Sequence, residues 1–123
     1  MKNAINWFEI PATDLERAKK FYETILGCEM PVTEAMGMKS AFFPADFQNE
    51  GIGGCIIQGK FYEPSQKGSL IYLNAGEDLA IPLSKVEEAG GKIILPKTAI
   101  GPHGFMAYIS DTEGNKVGLH SRK

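Results

Sequence analysis

Few residues in this sequence could carry nucleophilic, acid–base or metal chemistry. The chain contains two histidines, His103 and His120, and two cysteines, Cys28 and Cys55. No motif joins a serine or a cysteine to either histidine, as a nucleophile and its base require. The separated cysteines make no zinc motif. We expect reduced, partly buried thiols in a cytosolic protein, with a disulfide or a reactive thiol as the alternative.

Aromatic and polar side chains recur at alternate positions in the segments that are typical of strands. Such alternation places them on one face of a sheet, away from the apolar face. A concave surface with aromatic walls and a few polar groups is the usual site for a small organic molecule. We predict a ligand-binding cleft lined by Trp7, Glu9, Phe43, Cys55, Tyr72, Asn74, Tyr108 and His120.

Structural interpretations of the same residues remain open. Trp7 and Tyr108 could fill the cleft as core, and Glu9 could be hydrogen-bonded at its rim. His120 could be solvated near the end of the chain. His103, which has proline and glycine as neighbours, could set the shape of its loop or close over a ligand. We include His103 among the candidate ligand-binding residues.

Length, charge and hydropathy limit the class of protein. With 123 residues the chain fits one domain that folds alone. A net charge of −2 without a basic run argues against a nucleic-acid partner. No apolar stretch approaches the roughly 18 residues of a membrane span, and the N-terminus lacks the apolar segment of a signal peptide. We therefore expect a cytoplasmic protein without a membrane partner.

The first half of the chain predicts a strand, a helix and three strands. After a strand over 4–10, Thr13 and Glu16 resemble a capping box, and Gly27 suits the left-handed end of a helix. Apolar residues recur at helical spacing between them. Three further strands are predicted over 28–34, 38–43 and 53–58.

The second half repeats this order after a linker predicted over 60–68. Its predicted elements are a strand over 69–75, a helix with the apolar stripe Leu79, Leu83, Val86 and Ala89, a strand over 92–95 and a hairpin over 105–120. Asp14 and Leu15 align with Asp78 and Leu79, about 64 residues later.

This repeat predicts an α+β fold within a single domain. Two tandem βαβββ modules, over about 1–59 and 69–123, would form a curved mixed sheet around a central cleft. Neither half is large enough to bury its own sheet well, so we expect the sheets of the two halves to pair, with the helices outside.

The duplicated order resembles the vicinal oxygen chelate superfamily, which includes glyoxalase I, extradiol dioxygenases, fosfomycin-resistance proteins and bleomycin-binding proteins. Four stretches carry the resemblance, at 9–27, 85–92, 101–105 and 111–115. The resemblance implies a cleft that commonly holds one divalent metal through His and Glu of both halves. It does not specify an activity, because one scaffold of this kind supports many chemistries.

The positions that match the family's metal ligands hold other residue types here. They are Trp7 in the first strand, Leu70 or Ile71 in its counterpart, Gly118 in the last strand, and Gly54, Cys55 or Ile56. None offers an imidazole or a carboxylate, the usual ligands for such ions. The resemblance therefore implies a member that lacks the usual metal ligands.

We expect a metal-free protein that binds a small organic molecule, without a cofactor, and that forms a homodimer as its relatives suggest. The alternative is a glyoxalase-like lyase or a dioxygenase-like enzyme with a noncanonical divalent metal. Such a metal would be held by Glu9 and His120, with or without Gln58. A catalytically inactive partner subunit is a third possibility, for which the sequence offers no specific signal.

Overall fold

Each half of the chain folds as a strand, a helix and three strands in a computed structural model that describes residues 2–123. The first half contains β1 (Trp7–Pro11), α1 (Leu15–Leu26), β2 (Val32–Ala35), β3 (Met38–Phe42) and β4 (Gly53–Gln58). The second half contains β5 (Tyr72–Asn74), α2 (Ala80–Leu83), β6 (Lys92–Ala99), β7 (Phe105–Ser110) and β8 (Lys116–Ser121).

The strands form two four-stranded mixed sheets with the same internal order. The orders are β1-β4-β3-β2 and β5-β8-β7-β6. In each sheet the first strand pairs in parallel with the last, and the remaining pairs are antiparallel. The predicted α+β class and the βαβββ order are confirmed.

Equivalent backbone hydrogen bonds, one within each half, show which positions of the two halves correspond. Ala12 N donates to Ile57 O at 2.8 Å, and Ala75 N donates to His120 O at 2.9 Å. Donor and acceptor are each shifted by 63 residues between the halves. This offset makes Tyr72 the counterpart of Glu9.

The last strand of each module also holds the start of the helical segment. Leu15 N donates to the side-chain Oε1 of Gln58 at 2.8 Å. In the second half, Leu79 N donates to Ser121 Oγ at 2.9 Å. A free amide at the start of a helix needs such a partner, so both strand ends help to position the helices.

Helix α1 is confirmed, but its N-cap is Asp14 and not Thr13. The Asp14 side chain accepts a hydrogen bond from Arg17 N at 3.2 Å. The capping-box prediction is wrong. The Thr13 amide donates to the carboxylate of Glu113, 100 residues further along the chain, and not to that of Glu16. Gly27 ends the helix with φ +63°, as predicted.

Three other boundaries differ from the prediction. Strand β2 begins at Val32 because the preceding Met30 amide donates to the carboxylate of Glu23 in α1. Helix α2 is only four residues long, although Leu83 and Val86 of the predicted stripe are buried. Strand β6 continues through Pro96 with bulges, which an edge strand tolerates.

Both modules contribute to one hydrophobic core. Its buried residues come from α1, from the α2 segment and from one side of each sheet. Helix α1 supplies Leu15, Ala18, Phe21, Tyr22 and Ile25. No described helix has the length and apolar character needed to cross a membrane.

The turn between β7 and β8 joins the second module to the start of α1. The Glu113 side chain is inaccessible to solvent. Its carboxylate accepts from the amides of Thr13 at 2.9 Å and Asp14 at 2.8 Å. It also accepts from Arg17 Nε at 2.7 Å. A negative charge at a helix N-terminus is favourable.

A second, buried group in this turn strengthens the connection. The Tyr22 hydroxyl donates to Asp111 Oδ2 at 2.6 Å. Asn115 Nδ2 donates to the same Asp111 oxygen at 2.9 Å and to Pro11 O at 2.7 Å. Burial and the Asp111 charge raise the pKa of Tyr22 well above its usual value, so its hydroxyl stays protonated and can donate.

We predict that Glu113→Gln lowers the free energy of unfolding at neutral pH by about 1–2 kcal/mol, because the Thr13 and Asp14 amides and the Arg17 guanidinium lose a charged acceptor. Burial raises the pKa of Glu113, but hydrogen bonds from Arg17 and from the Asp14 amide outweigh it, and the pKa lies below its usual value. The stabilisation is therefore complete above the unfolded-state pKa and is lost as the pH falls through the folded-state pKa.

Urea unfolding at neutral pH and at about pH 3 tests this, since the difference from the wild type must shrink in acid. Glu16→Gln, at an exposed position in the first turn of the same helix, is the matched control. An equal loss of stability in both variants would contradict the assigned role of Glu113.

Candidate functional site

Each sheet turns one side towards the helices and the other side away from them. On the first sheet, Ile10 and Ile56 lie in the core, and alternation directs Trp7 and Glu9 to the opposite side. We call that side the first face; it includes Trp7, Glu9, Ser40, Phe42 and Cys55. The equivalent side of the second sheet is the second face; it includes Tyr72, Asn74, Met106, Tyr108, Lys116, Gly118 and His120.

The first face is an aromatic surface with one carboxylate. Trp7 is 38% exposed, and its ring centroid lies 6.0 Å from that of Phe42. The Glu9 carboxylate accepts a hydrogen bond from the Tyr62 hydroxyl at 2.9 Å. Tyr62 belongs to the segment between the modules, so this segment extends over the end of the face.

Cys55 is buried on the first face, between Trp7, Glu9 and Ser40. Burial, together with the nearby Glu9 charge, raises the pKa of its thiol to about 11. The thiolate is the form that attacks electrophiles and binds metals. Cys55 is therefore a protonated wall residue at neutral pH. Burial raises the pKa of the Cys28 thiol as well.

Phe43 lies on the helix side of the sheet and not on the first face, where alternation had placed it. It is 7% exposed and lies in the core, with its ring centroid 5.4 Å from those of both Phe8 and Tyr22. The pairing of Phe42 with Cys55 fixes the register of β3, so Phe42 reaches the first face and Phe43 the other side. A shift by one residue reverses the face of every side chain in a strand.

Two tyrosines form the centre of the second face. Their hydroxyls lie 3.0 Å apart, and the ring centroids of Tyr72 and Tyr108 are 6.1 Å apart. Lys116 Nζ lies 4.6 Å from the centroid of the Tyr108 ring. Tyr72 is 47% exposed. The face thus offers aromatic surface, phenolic hydroxyls and one ammonium group.

Gly118 lies beneath the ring of Tyr72, its direct neighbour in the parallel pair. A Cβ atom added at Gly118 would be 2.5 Å from Cδ1 of that ring. The space that a side chain would need is therefore already filled. The absence of a side chain at position 118 allows Tyr72 to lie across β8 and reach Tyr108.

The His120 side chain contacts the backbone carbonyl group of His103. His120 Nε2 is 2.7 Å from the carbonyl oxygen of His103. Because that oxygen can only accept, Nε2 carries the hydrogen. The His103 side chain is exposed, and its loop lies at the margin of the second face. Asn74 reaches the same face, although its Oδ1 accepts from Gly76 N at 3.0 Å.

The noncanonical metal set is not brought together. Glu9 belongs to the first face and His120 to the second, while Gln58 points to the helix side and accepts from Leu15 N. Within residues 2–123, no three His, Cys, Asp or Glu side chains are close enough to hold a metal ion.

The repeat offset identifies the four positions that match the family's metal ligands. Cys55 is the counterpart of Gly118, and Leu70 is the counterpart of Trp7, in each case 63 residues apart. These positions therefore supply a protonated thiol, a covered glycine, a leucine and an indole. Such a donor set does not suit a divalent metal.

Two cavities lie where the modules meet. One of about 410 Å³ is lined by Phe8 of β1 and Tyr72 of β5, together with Phe43 and Ile71. The other, of about 200 Å³, is lined by Glu9 from the first face and Lys116 from the second. Ligand pockets typically measure about 300–1,000 Å³, so the first is of suitable size and the second would accept only part of a ligand.

Sequence reasoning missed Ser40, Phe42, Met106 and Lys116 on these faces, and the linker residue Tyr62 beside the first face. For Lys116 a signal existed, because it alternates in phase with Gly118 and His120. Tyr62 lies in the predicted linker, where no periodicity could reveal its contact with Glu9.

Comparison with known proteins agrees with this architecture. Residues 4–119 match the family model described as the Glyoxalase/Bleomycin resistance protein/Dioxygenase superfamily. A glyoxylase-like domain-containing protein of Didymella fabae is 33% identical over 125 residues, which cover 96% of this chain and 93% of that protein.

More distant relatives differ in length. The putative glyoxylase CFP32 of Mycobacterium tuberculosis is 26% identical over 114 residues, which are 93% of this chain and 44% of that protein. The chain thus spans less than half of that relative. A crystal structure of a glyoxalase/bleomycin resistance protein from Albidiferax ferrireducens has a TM-score of 0.70 and 20% identity, with 98% of this chain and 100% of that chain covered. At this identity the likeness shows the fold alone.

We predict that Gly118→Ala destabilises the protein by about 1–3 kcal/mol, as overpacking does. The new methyl group must displace the Tyr72 ring and so separate it from Tyr108. Chemical denaturation measures the loss. The double variant Gly118→Ala/Tyr72→Ala should show much less than the sum of the two single effects. Strict additivity would mean that Tyr72 does not fill the space at position 118.

We also predict that Cys55 resists thiol reagents in the native protein at about pH 8, because with a pKa of about 11 only ~0.1% of it is thiolate. Reaction with a disulfide reagent, before and after addition of denaturant, measures this, and peptide mass spectrometry locates the label. Rapid labelling of Cys55 in the folded protein would show that the thiol is exposed or activated.

Proposed function

The chain belongs to the Glyoxalase/Bleomycin resistance protein/Dioxygenase superfamily, and we propose that it binds a small organic molecule on its aromatic faces without a metal ion. The mechanism is sequestration: aromatic side chains cover the ligand, and a few polar groups orient it. The covered position at Gly118 is the observation that carries the proposal.

Gly118 is not an open gap at the position of a missing metal ligand, because the Tyr72 ring fills the space above it. A carboxylate there would collide with the Tyr72 ring, and the counterpart position is a thiol with a pKa of about 11. Gly118 is covered by the Tyr72 ring, and Cys55 is a buried part of the first face. This favours binding over metal-dependent lyase or dioxygenase chemistry, for which the described residues 2–123 bring no three acidic, thiol or imidazole groups together.

The remaining groups suit ligand binding. Trp7 and Tyr72 expose large parts of their rings, and aromatic surface of this kind holds small molecules well. Glu9 can accept hydrogen bonds from a ligand, Tyr108 can donate one, and the Asn74 amide can donate as well. These groups lie on two separate faces, so a ligand held by one face needs a second wall.

We propose that a second copy of the chain supplies that wall in a homodimer. Trp7 on the first face and Tyr72 on the second are exposed in a single chain, so neither face is fully covered by another element of residues 2–123. Light scattering coupled to size exclusion should give twice the mass of one chain. A monomer at concentrations where ligand binds would contradict this part of the proposal.

The metal-free state is tested by elemental analysis of protein purified without a chelator, together with thermal unfolding in the presence of Ni, Zn, Mn or Fe. We predict substoichiometric metal and an unchanged melting temperature, since an ion that does not bind the native state cannot stabilise it. Stoichiometric metal with an increase of several degrees would overturn the proposal and favour an enzyme.

The binding surface is tested with a ligand from a thermal-shift screen of small aromatic molecules. Trp7→Phe should weaken its binding about three- to tenfold, the scale of ~0.5–1.5 kcal/mol for an altered aromatic contact. Ile81→Ala, at an exposed apolar position of α2 away from both faces, should leave the affinity unchanged. If Trp7→Phe and Ile81→Ala behave alike, the first face is not the wall of the site.

A further inference from the structure

Lys116 is the positive group at the centre of the second face, and it lacks an acidic partner. Its ammonium group lies over the Tyr108 ring, 4.6 Å from the centroid. Among residues 2–123, no carboxylate oxygen lies within 4.0 Å of it. It is half-buried. A lysine in a structural role would more often be paired with an acid or extended into solvent.

The tyrosine pair adds a hydrogen-bond donor beside this ammonium group. Tyr72 and Tyr108 share one hydrogen bond between their hydroxyls, at 3.0 Å. When Tyr72 donates, the hydroxyl hydrogen of Tyr108 remains free for an outside acceptor. The free phenolic hydrogen lies at the edge of the Tyr108 ring and the ammonium group lies over its face, so this one ring presents two donors to an oxygen anion.

The other charged groups near Lys116 determine how such a ligand is oriented on the faces. Glu9, Glu63 and Lys67 line the same cavity of about 200 Å³ as Lys116, and neither carboxylate pairs with Lys116. An anionic group near Glu9 would be repelled, whereas one near Lys116 would be attracted. An aromatic ring extending from the anion would lie along Tyr72 and Tyr108, whose surfaces are uncharged.

We infer that the ligand is an aromatic anion, whose carboxylate or equivalent oxyanion is bound by Lys116 and Tyr108 and whose ring packs on the second face. This inference rests on the proposed function and specifies the class of molecule that the site accepts. Lys116 is then the residue that determines specificity, because it separates anionic from neutral ligands of the same shape.

The test compares naphthalene-2-carboxylate with naphthalene-2-carboxamide, which have the same ring and nearly the same shape. Calorimetric titration of the full chain should show that the carboxylate binds at least about tenfold more tightly, the usual scale of one charge-assisted hydrogen bond. The preference should decrease as salt is added, because the ammonium group is partly exposed.

Substitutions test whether Lys116 is the residue that causes the preference for the carboxylate probe. Lys116→Met should bind both probes equally, Lys116→Arg should retain the preference for the carboxylate, and Lys20→Met on the exposed side of α1 should behave as the wild type. Unchanged circular dichroism of Lys116→Met excludes a general structural effect.

Equal binding of the two probes to the wild type would overturn the inference and leave the proposed function intact. A preference that survives in Lys116→Met would overturn the assignment to Lys116. If neither probe binds, the inference fails as well, and the screen with neutral aromatic molecules decides the proposed function separately.

Discussion

The carboxylate of Glu113 is the constraint on which the rest of the structure depends. It comes from the turn between β7 and β8, yet it binds the amides that begin α1 in the other module. Asp111 binds Tyr22 from the same turn. Neither module could bury the apolar side of its sheet alone. These contacts hold α1 between the modules, so that the helix sides of both sheets share one core.

Sharing the core in this way determines where chemistry can occur. Once one side of each sheet is packed on the helices, the alternate residues must form the two exposed faces. The repeat places equivalent positions of both faces in the same local geometry, as the paired hydrogen bonds of Ala12 and Ala75 show. A change at one face, such as the glycine at position 118, can therefore be compared directly with its counterpart, Cys55.

That comparison suggests how one fold supports different activities. The resemblance implies four ligand positions on the scaffold, and we propose that their side chains decide between a metal centre and an aromatic wall. In this chain a ring lies over Gly118, and an indole occupies the first-strand position. On the function that we propose, this surface binds its ligand through packing, hydrogen bonds and one ammonium group, with no need for an ion.

Local periodicity was sufficient to predict the modules, because strand alternation and helical spacing repeat within each half. Local turn chemistry was sufficient for Gly27. Contacts between distant residues were not accessible: Glu113 replaces the predicted capping partner, and Tyr62 reaches Glu9 from the linker. Phe43 was assigned to the wrong face because the strand signal does not specify register, which the pairing of Phe42 with Cys55 sets.

The central claim is that the aromatic faces bind ligand without an ion. A nuclear magnetic resonance titration of ¹⁵N-labelled protein with naphthalene-2-carboxylate, in excess EDTA, tests it most directly. The account predicts saturable shifts of the Gly118 amide and the Trp7 indole signal, with the same affinity as without chelator. Binding that disappears in EDTA and returns on addition of a divalent metal would contradict it.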